Sequence, residues 1–171
     1  MIKKIDIIIT SRLNQIVNQY KILTIFFKLI THTSSGKVYI LYAALIPLIT
    51  IKGYDIVKYG LFAFAFQVPV YLLSKNIIKK RRPTIEHGIK QIIRPPDEYS
   101  FPSGHAASST LFFLIINQNI PTIGIYFSIW MICIFLSRIT LGLHYISDVV
   151  GGILLGILSF YITDIFFTYY F

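Results

Sequence analysis

The chain has 171 residues, of which 55% are hydrophobic, 16% aromatic and only 13% charged, and its mean hydropathy is +0.68. One domain of this size cannot bury so much apolar surface in a single core, so the composition disfavours a soluble monomer and excludes a disordered or fibrous chain. The 16 basic residues outnumber the 7 acidic ones, and the net charge of +9 is typical of proteins that bind nucleic acid, anionic lipid or an anionic substrate.

The apolar segments have the lengths of helices and are separated by short polar breaks, which predicts an all-α, integral membrane helical bundle of about six helices. The first run, about 5–30, mixes polar residues with isoleucines and predicts an amphipathic helix that either lies in the interface or spans with one face on protein. Five further runs are predicted transmembrane spans, at about 38–51, 56–78, 106–116, 121–136 and 146–171. No linker divides them, so we expect residues 1–171 to form one membrane-embedded domain.

The one long polar stretch, 79–101, is predicted to be a loop, and it holds most of a basic window that begins in the preceding run. The seven basic residues of this window are Lys75, Lys79, Lys80, Arg81, Arg82, Lys90 and Arg94. By itself the window fits a solvated loop that obeys the positive-inside rule. If successive runs cross the bilayer alternately, however, it shares one side with the polar segments 103–105, 138 and 144–148. Ionisable residues at the rim of a membrane bundle are usually functional, so we predict a converging anion site.

The first motif of this site is Lys75, six residues, then Arg82-Pro83. Arginine offers a planar fork that matches phosphate oxygens, and lysine offers a point charge. Basic residues are also common after a membrane helix, so this motif alone is a weak signal.

The second motif is Pro102-Ser103-Gly104-His105, directly before an apolar run. Ser103 is predicted to cap the helix, and Gly104 allows close approach of a ligand to the backbone. The free N–H groups of the first turn then form an anion site with His105 at its edge. An ordinary helix cap with a solvated histidine is the alternative.

The third motif is Ser137-Arg138, five residues, His144, three residues, Asp148. Arg138 supplies another phosphate fork, and the spacing predicts that His144 and Asp148 share one helix face. A carboxylate in that position accepts from one imidazole nitrogen and makes the other more nucleophilic. A purely structural His–Asp pair is the alternative, and the residues alone do not decide which histidine is the nucleophile.

The three motifs in this order resemble the signature of the type 2 phosphatidic acid phosphatase superfamily, which also contains vanadium haloperoxidases. The resemblance covers about 75–148. It implies that His144 attacks phosphorus, that Asp148 orients His144, and that His105 protonates the leaving oxygen and then activates water. It further implies no metal and no cofactor, with a phosphate held by five groups: Lys75, Arg82, Ser103, the Gly104 N–H and Arg138.

The function implied is metal-independent hydrolysis of a phosphate group from a membrane lipid through a phosphohistidine. The candidate substrates are phosphatidylglycerophosphate, phosphatidic acid, undecaprenyl diphosphate and the 1-phosphate of lipid A. Two alternatives are vanadate-dependent haloperoxidase-like chemistry and a non-catalytic protein that binds anionic lipid. We expect the bilayer and a phosphorylated lipid as partners, neither nucleic acid nor a protein, and a bacterial inner membrane location with the site on the outer side.

Two neighbouring features are interpreted as structural. Cys133 lies in an apolar run and is predicted to be a packing residue. Asp97 and Glu98 are predicted to belong to a solvated loop, although they lie close enough to the second motif to repel excess anionic charge or to bind a basic headgroup.

Overall fold

The computed structural model describes residues 2–95 and 97–170, and this part of the chain is all-α, as predicted. Its eight helices are α1 (Ile2–Gln19), α2 (Lys21–His32), α3 (Gly36–Ile49), α4 (Gly53–Ile78), α5 (Pro83–His87), α6 (Gly104–Asn119), α7 (Pro121–Thr140) and α8 (Ile146–Tyr170).

Three of these helices, α4, α7 and α8, are long and apolar enough to cross a membrane. Helix α3 is apolar but has only 14 residues, and α6 has 16, so both fall short of the length that an untilted span requires. The long apolar helices support an integral membrane protein.

Two boundaries differ from those predicted. The first apolar run is divided into α1 and α2, because Tyr20 between them has an extended backbone. The polar stretch 79–101 contains the short helix α5, which starts on Pro83 and is followed by Gly88 at a φ of 62°. Proline at the first helical position and glycine after the last one are the usual signals for such a helix. The prediction of a loop over this stretch did not take them into account.

Helix α1 turns its polar face inward. Asp6, Thr10, Asn14 and Val17 recur at helical spacing and are all buried. Isoleucines such as Ile8 lie on the exposed side. The Asn14 side chain donates to the carbonyl oxygens of Lys90 and Thr140, at 3.1 and 2.8 Å, and so ties α1 to the end of α7. This supports an amphipathic helix with one face on protein, the second of the two predicted options.

Close packing of α6 on α8 brings the second and third motifs together. A Cβ atom on Gly152 would lie 2.4 Å from the Ser103 carbonyl oxygen, and one on Gly156 would lie 2.6 Å from that of Ala107. Glycines spaced in this way let two membrane helices approach closely. The start of α6 therefore lies directly against the first turns of α8.

Candidate active site

The end of α4, the start of α6, the end of α7 and the start of α8 meet at one end of the bundle. The Ser103 N–H donates to the Asp148 carbonyl oxygen at 2.9 Å, and Arg82 reaches His144. Parts of all three motifs thus converge, as the sequence predicted.

His144 lies in the turn between α7 and α8, where Gly142, at a φ of 75°, reverses the chain. Two neighbours of the imidazole determine its tautomer. The Nδ1 atom lies 2.7 Å from the Ser100 carbonyl oxygen, and Nε2 lies 3.2 Å from Nη1 of Arg82. A carbonyl only accepts and a guanidinium only donates, so Nδ1 carries the proton and Nε2 presents a lone pair.

Burial lowers the pKa of His144 to about 3. The nearby Asp148 carboxylate opposes this shift, whereas the positive charges of Arg138 and Arg82 add to it. His144 is therefore neutral at physiological pH, the protonation state that a nitrogen nucleophile needs.

Asp148 is fully buried, and both of its carboxylate oxygens have donors. Oδ1 accepts from Lys80 Nζ at 2.8 Å, and Oδ2 accepts from the Tyr145 N–H at 2.8 Å. Oδ2 also lies 3.8 Å from Nδ1 of His144. The prediction that His144 and Asp148 share one helix face is wrong in its geometry, because α8 begins only at Ile146. The direct acceptor of the imidazole proton is the Ser100 carbonyl.

Arg82 is 1% exposed and is held from several directions. Its Nη1 donates to the Leu143 carbonyl at 2.8 Å, and its Nε donates to the Asp97 carbonyl at 2.8 Å. These two bonds fix the plane of the guanidinium, so that Nη1 faces Nε2 of His144. The fork predicted from sequence is therefore pre-organised beside the imidazole.

Asp97 lies in a loop, as predicted, but its carboxylate is held by two cations of the first motif rather than only by solvent. Its carboxylate bridges two cations: Oδ1 accepts from Arg82 Nη2 at 2.8 Å, and Oδ2 forms a short contact with Lys75 Nζ. Burial raises the pKa of Asp97, but hydrogen bonds from Lys75 and Arg82 outweigh this and hold it below its usual value. In the sequence, the one signal for this pairing was an acidic residue next to a strongly basic window.

Arg138 is buried at the end of α7, where Nη1 donates to the Thr31 hydroxyl of α2 at 2.7 Å. Its Nε has no hydrogen-bond partner among the described residues. A buried guanidinium with an unused donor is costly unless an anion completes it. Arg138 is thus the least satisfied cation of the three that the motifs contribute.

Ser103 caps α6 as predicted, with its hydroxyl oxygen accepting from the Ala106 N–H at 3.4 Å. Gly104 and His105 follow in the first turn, where backbone N–H groups have no partner within the helix. A Cβ on Gly104 would lie 3.0 Å from the ring of Tyr71, so this position has little room for a larger residue. His105 lines a cavity of about 200 Å³ with Gly104 and Tyr71.

Comparison with known proteins identifies the family. Residues 56–170 match the model of the PAP2 superfamily, and the chain belongs to this superfamily. The matched region runs from α4 into α8 and contains all three motifs. The family resemblance predicted from the motifs is therefore confirmed.

Two curated relatives are phosphatases. The chain is 35% identical over 89 residues to decaprenylphosphoryl-5-phosphoribose phosphatase of Mycobacterium tuberculosis, a match that covers 51% of this chain and 48% of that protein. It is 26% identical over 137 residues to phosphatidylglycerophosphatase B of Bacillus subtilis, covering 69% and 65%. The chain thus spans about half the length of the first relative and about two thirds of the second.

Two crystal structures share the fold. The transmembrane PAP2-type phosphatidylglycerolphosphate phosphatase from Bacillus subtilis superposes with a TM-score of 0.79 at 20% identity, over 99% of this chain and 88% of that chain. LpxE of Aquifex aeolicus superposes with a TM-score of 0.80 at 22% identity, over 91% and 92%. The helical membrane fold is therefore that of the transmembrane PAP2 proteins.

Proposed function

We propose that this protein hydrolyses a phosphate group from a membrane lipid through a phosphohistidine on His144. One observation carries the proposal: the imidazole of His144 is buried, its Nδ1 lies against the Ser100 carbonyl oxygen, and its Nε2 faces the Arg82 guanidinium. A phosphate that replaces the Arg82–His144 contact would bind the arginine and present its phosphorus to the nucleophile.

In the first step, Nε2 of His144 forms a bond to phosphorus while the bond from phosphorus to the lipid oxygen breaks. The imidazole becomes positively charged, and the Asp148 carboxylate, 3.8 Å from Nδ1, stabilises that charge. His105 donates a proton to the departing lipid oxygen. General acid catalysis of this kind contributes about 10²–10⁴-fold to the rate.

In the second step, His105 accepts a proton from water, and the water oxygen attacks phosphorus. The bond between phosphorus and nitrogen breaks, which releases inorganic phosphate and restores neutral His144. The same histidine serves as acid and then as base, as microscopic reversibility requires.

The surrounding cations support charge stabilisation in both steps. Lys75, Arg82 and Arg138 are all buried, so their charges act on the equatorial phosphate oxygens with little screening by water. The unused Nε donor of Arg138 and the first-turn N–H groups of Gly104 and His105 are further donors.

An apolar groove supports a lipid as the substrate. It has a volume of about 360 Å³ and lies between α3, α4 and α6. It shares Gly36, Val68 and Ser108 with the cavity that contains His105, so a hydrocarbon tail in the groove would extend from a headgroup at the site. The candidate headgroups remain phosphatidylglycerophosphate, phosphatidic acid, undecaprenyl diphosphate and lipid A 1-phosphate, which a selectivity panel would rank.

The proposed location is a bacterial inner membrane with the site on the outer side. Lys75, Arg82 and Arg138 belong to the proposed phosphate cage, so they do not count freely toward the positive-inside rule. Cysteines introduced into the 82–101 segment should then react with an impermeant reagent in intact cells. Protection of these cysteines would place the site in the cytoplasm.

The activity is tested by phosphate release from purified protein in detergent with EDTA. We expect release by the unaltered protein and a loss of several orders of magnitude in His144→Ala. His87→Ala, which removes an exposed histidine of α5, is the matched control. Full activity in His144→Ala would contradict the mechanism, and bromide oxidation with vanadate and peroxide but without phosphate release would favour the haloperoxidase alternative.

A further inference from the structure

A second set of charges lies behind His144, on the side away from Arg82. The Lys80 ammonium donates to Asp148 Oδ1 at 2.8 Å and to the Ser147 hydroxyl at 2.7 Å. It also lies 3.4 Å from a carboxylate oxygen of Asp6 and 4.3 Å from the centre of the Tyr145 ring. All three donor directions of this ammonium are therefore used.

Asp6 reaches this network from α1, at the opposite end of the sequence from α8. Its carboxylate accepts from the Ser147 N–H at 3.1 Å and makes a short contact with the Ser147 hydroxyl. Asp6 is 7% exposed and belongs to the inward polar face of α1. A buried carboxylate is costly unless it is paired, and Lys80 and Ser147 pair it.

This network determines how Asp148 meets His144. The Tyr145 N–H holds Oδ2 on the imidazole side, and Lys80 holds Oδ1 away from it. Asp6 and Ser147 fix the position of Lys80 in turn. Without Lys80, the carboxylate would keep one fixed oxygen and be free to rotate about it.

We propose that Lys80 and Asp6 are positioning residues that act on the reaction through Asp148. Neither is one of the proposed phosphate-binding residues. Because Asp6 belongs to α1, the inference makes this helix part of the catalytic apparatus. The inference rests on the proposed function, because the orientation of Asp148 matters only if His144 becomes charged during the reaction.

The test separates kcat from KM for phosphate release in detergent. Lys80→Met should lower kcat about tenfold or more, because a misplacement of about 1 Å can reduce a rate up to a hundredfold. KM should change less than about twofold, since the phosphate-binding cations are untouched. Lys80→Arg should restore most of kcat, because it keeps a donor and the charge.

Lys79→Met is the matched control, since Lys79 is the exposed neighbour of Lys80 in the same basic segment, and we expect its kcat and KM to be unchanged. Asp6→Asn should lower kcat less than Lys80→Met does. If Lys80→Met fails to fold, the double variant Asp6→Asn/Lys80→Met replaces it, because it leaves one fewer uncompensated carboxylate. Its kcat should also fall without a matching rise in KM.

Three outcomes would overturn the inference. The first is an unchanged kcat in the folded Lys80 variants, and the second is a loss of kcat in Lys80→Met that Lys80→Arg does not restore. The third is a rise in KM at constant kcat, which would make Lys80 a substrate-binding residue. Failure of the proposed function is distinct, because then the unaltered protein would release no phosphate and His144→Ala would change nothing.

Discussion

Charged groups lie on two sides of His144, which we call the front (Asp97 with Lys75 and Arg82) and the back (Asp148 with Lys80). On each side a carboxylate is paired with one or two cations. In front, Asp97 bridges Lys75 and Arg82, and its side chain is 35% exposed. At the back, Asp148 pairs with Lys80 and is 0% exposed. The front carboxylate belongs to a loop, whereas the back carboxylate is in the first turn of a membrane helix and also bonds the Tyr145 N–H.

This contrast indicates which of the two carboxylates could be replaced by a bound phosphate. In the proposed mechanism, a phosphate would displace the partly exposed Asp97 carboxylate from its cations, because water and a loop accommodate the released group. The buried Asp148 carboxylate has no such alternative, so we expect its ion pair to persist through the reaction. In the proposed mechanism, the front is therefore expected to control phosphate affinity, and the back to control the chemical step.

The largest effect should follow from a change at the back. Asp148→Asn keeps the shape of the side chain but removes the charge that, in the proposed mechanism, stabilises the imidazolium. We expect kcat to fall about 10³-fold or more, because an orienting carboxylate and its histidine act as a unit, with KM little changed. Asp55→Asn, an exposed acidic residue in the first turn of α4, is the control. A large rise in KM at constant kcat would contradict the assignment of the chemical step to the back and of phosphate affinity to the front.

A change of shape without a change of charge should have the next largest effect. Arg82→Lys keeps a cation in front of His144 but removes the fork that bonds the Leu143 and Asp97 carbonyls. We expect kcat/KM to fall about 10²-fold, the usual cost of losing one positioned donor to transition-state charge. Arg81→Lys, at the exposed neighbouring position, should behave as the unaltered protein does. An equal loss in both variants would argue against a specific role for the fork.

A smaller effect, in the opposite direction, is expected from Asp97. Asp97→Asn leaves Lys75 and Arg82 without their carboxylate, so inorganic phosphate or vanadate should inhibit about fivefold more strongly, as expected from ~1 kcal/mol for a partly exposed pair. Glu98→Gln is the matched control next to it. Weaker inhibition in Asp97→Asn would mean that Asp97 positions the two cations rather than competing with the phosphate.

The motif residues on both sides of His144 were more predictable from sequence than the side chains that pair with them. Lys75, Arg82, His105, Arg138, His144 and Asp148 could be named because each belongs to a short motif with a fixed spacing and a known chemistry. The helices that carry them could be placed because long apolar runs and proline or glycine breaks are local signals.

The remaining site residues could not be found in this way, because long-range contacts select them. Lys80 is one of four consecutive basic residues, 79–82, and only the path of the chain directs it to Asp148. Asp6 meets Ser147 across 141 residues, and Asp97 meets Lys75 across 22. Residue type alone gave no reason to prefer these carboxylates over the exposed ones.

The last expected effect is on stability rather than on kinetics, and it concerns His144 in the α7–α8 turn. The pKa of His144 is about 3 in the folded protein and near 6.5 in an unfolded chain. Between these values the unfolded chain binds a proton that the native protein does not, so stability should fall as pH falls, by at most about 1.4 kcal/mol per pH unit. Asp97, whose folded pKa is lowered, loses its contribution only at more acidic pH. The window from pH 6.5 to 5 is therefore where histidines protonate in the unfolded chain, and the substitution His144→Asn removes the part that is due to His144. Thermal unfolding in detergent should lose less stability across this window in His144→Asn than in the unaltered protein, and equal slopes would mean that the imidazole is not held neutral by burial.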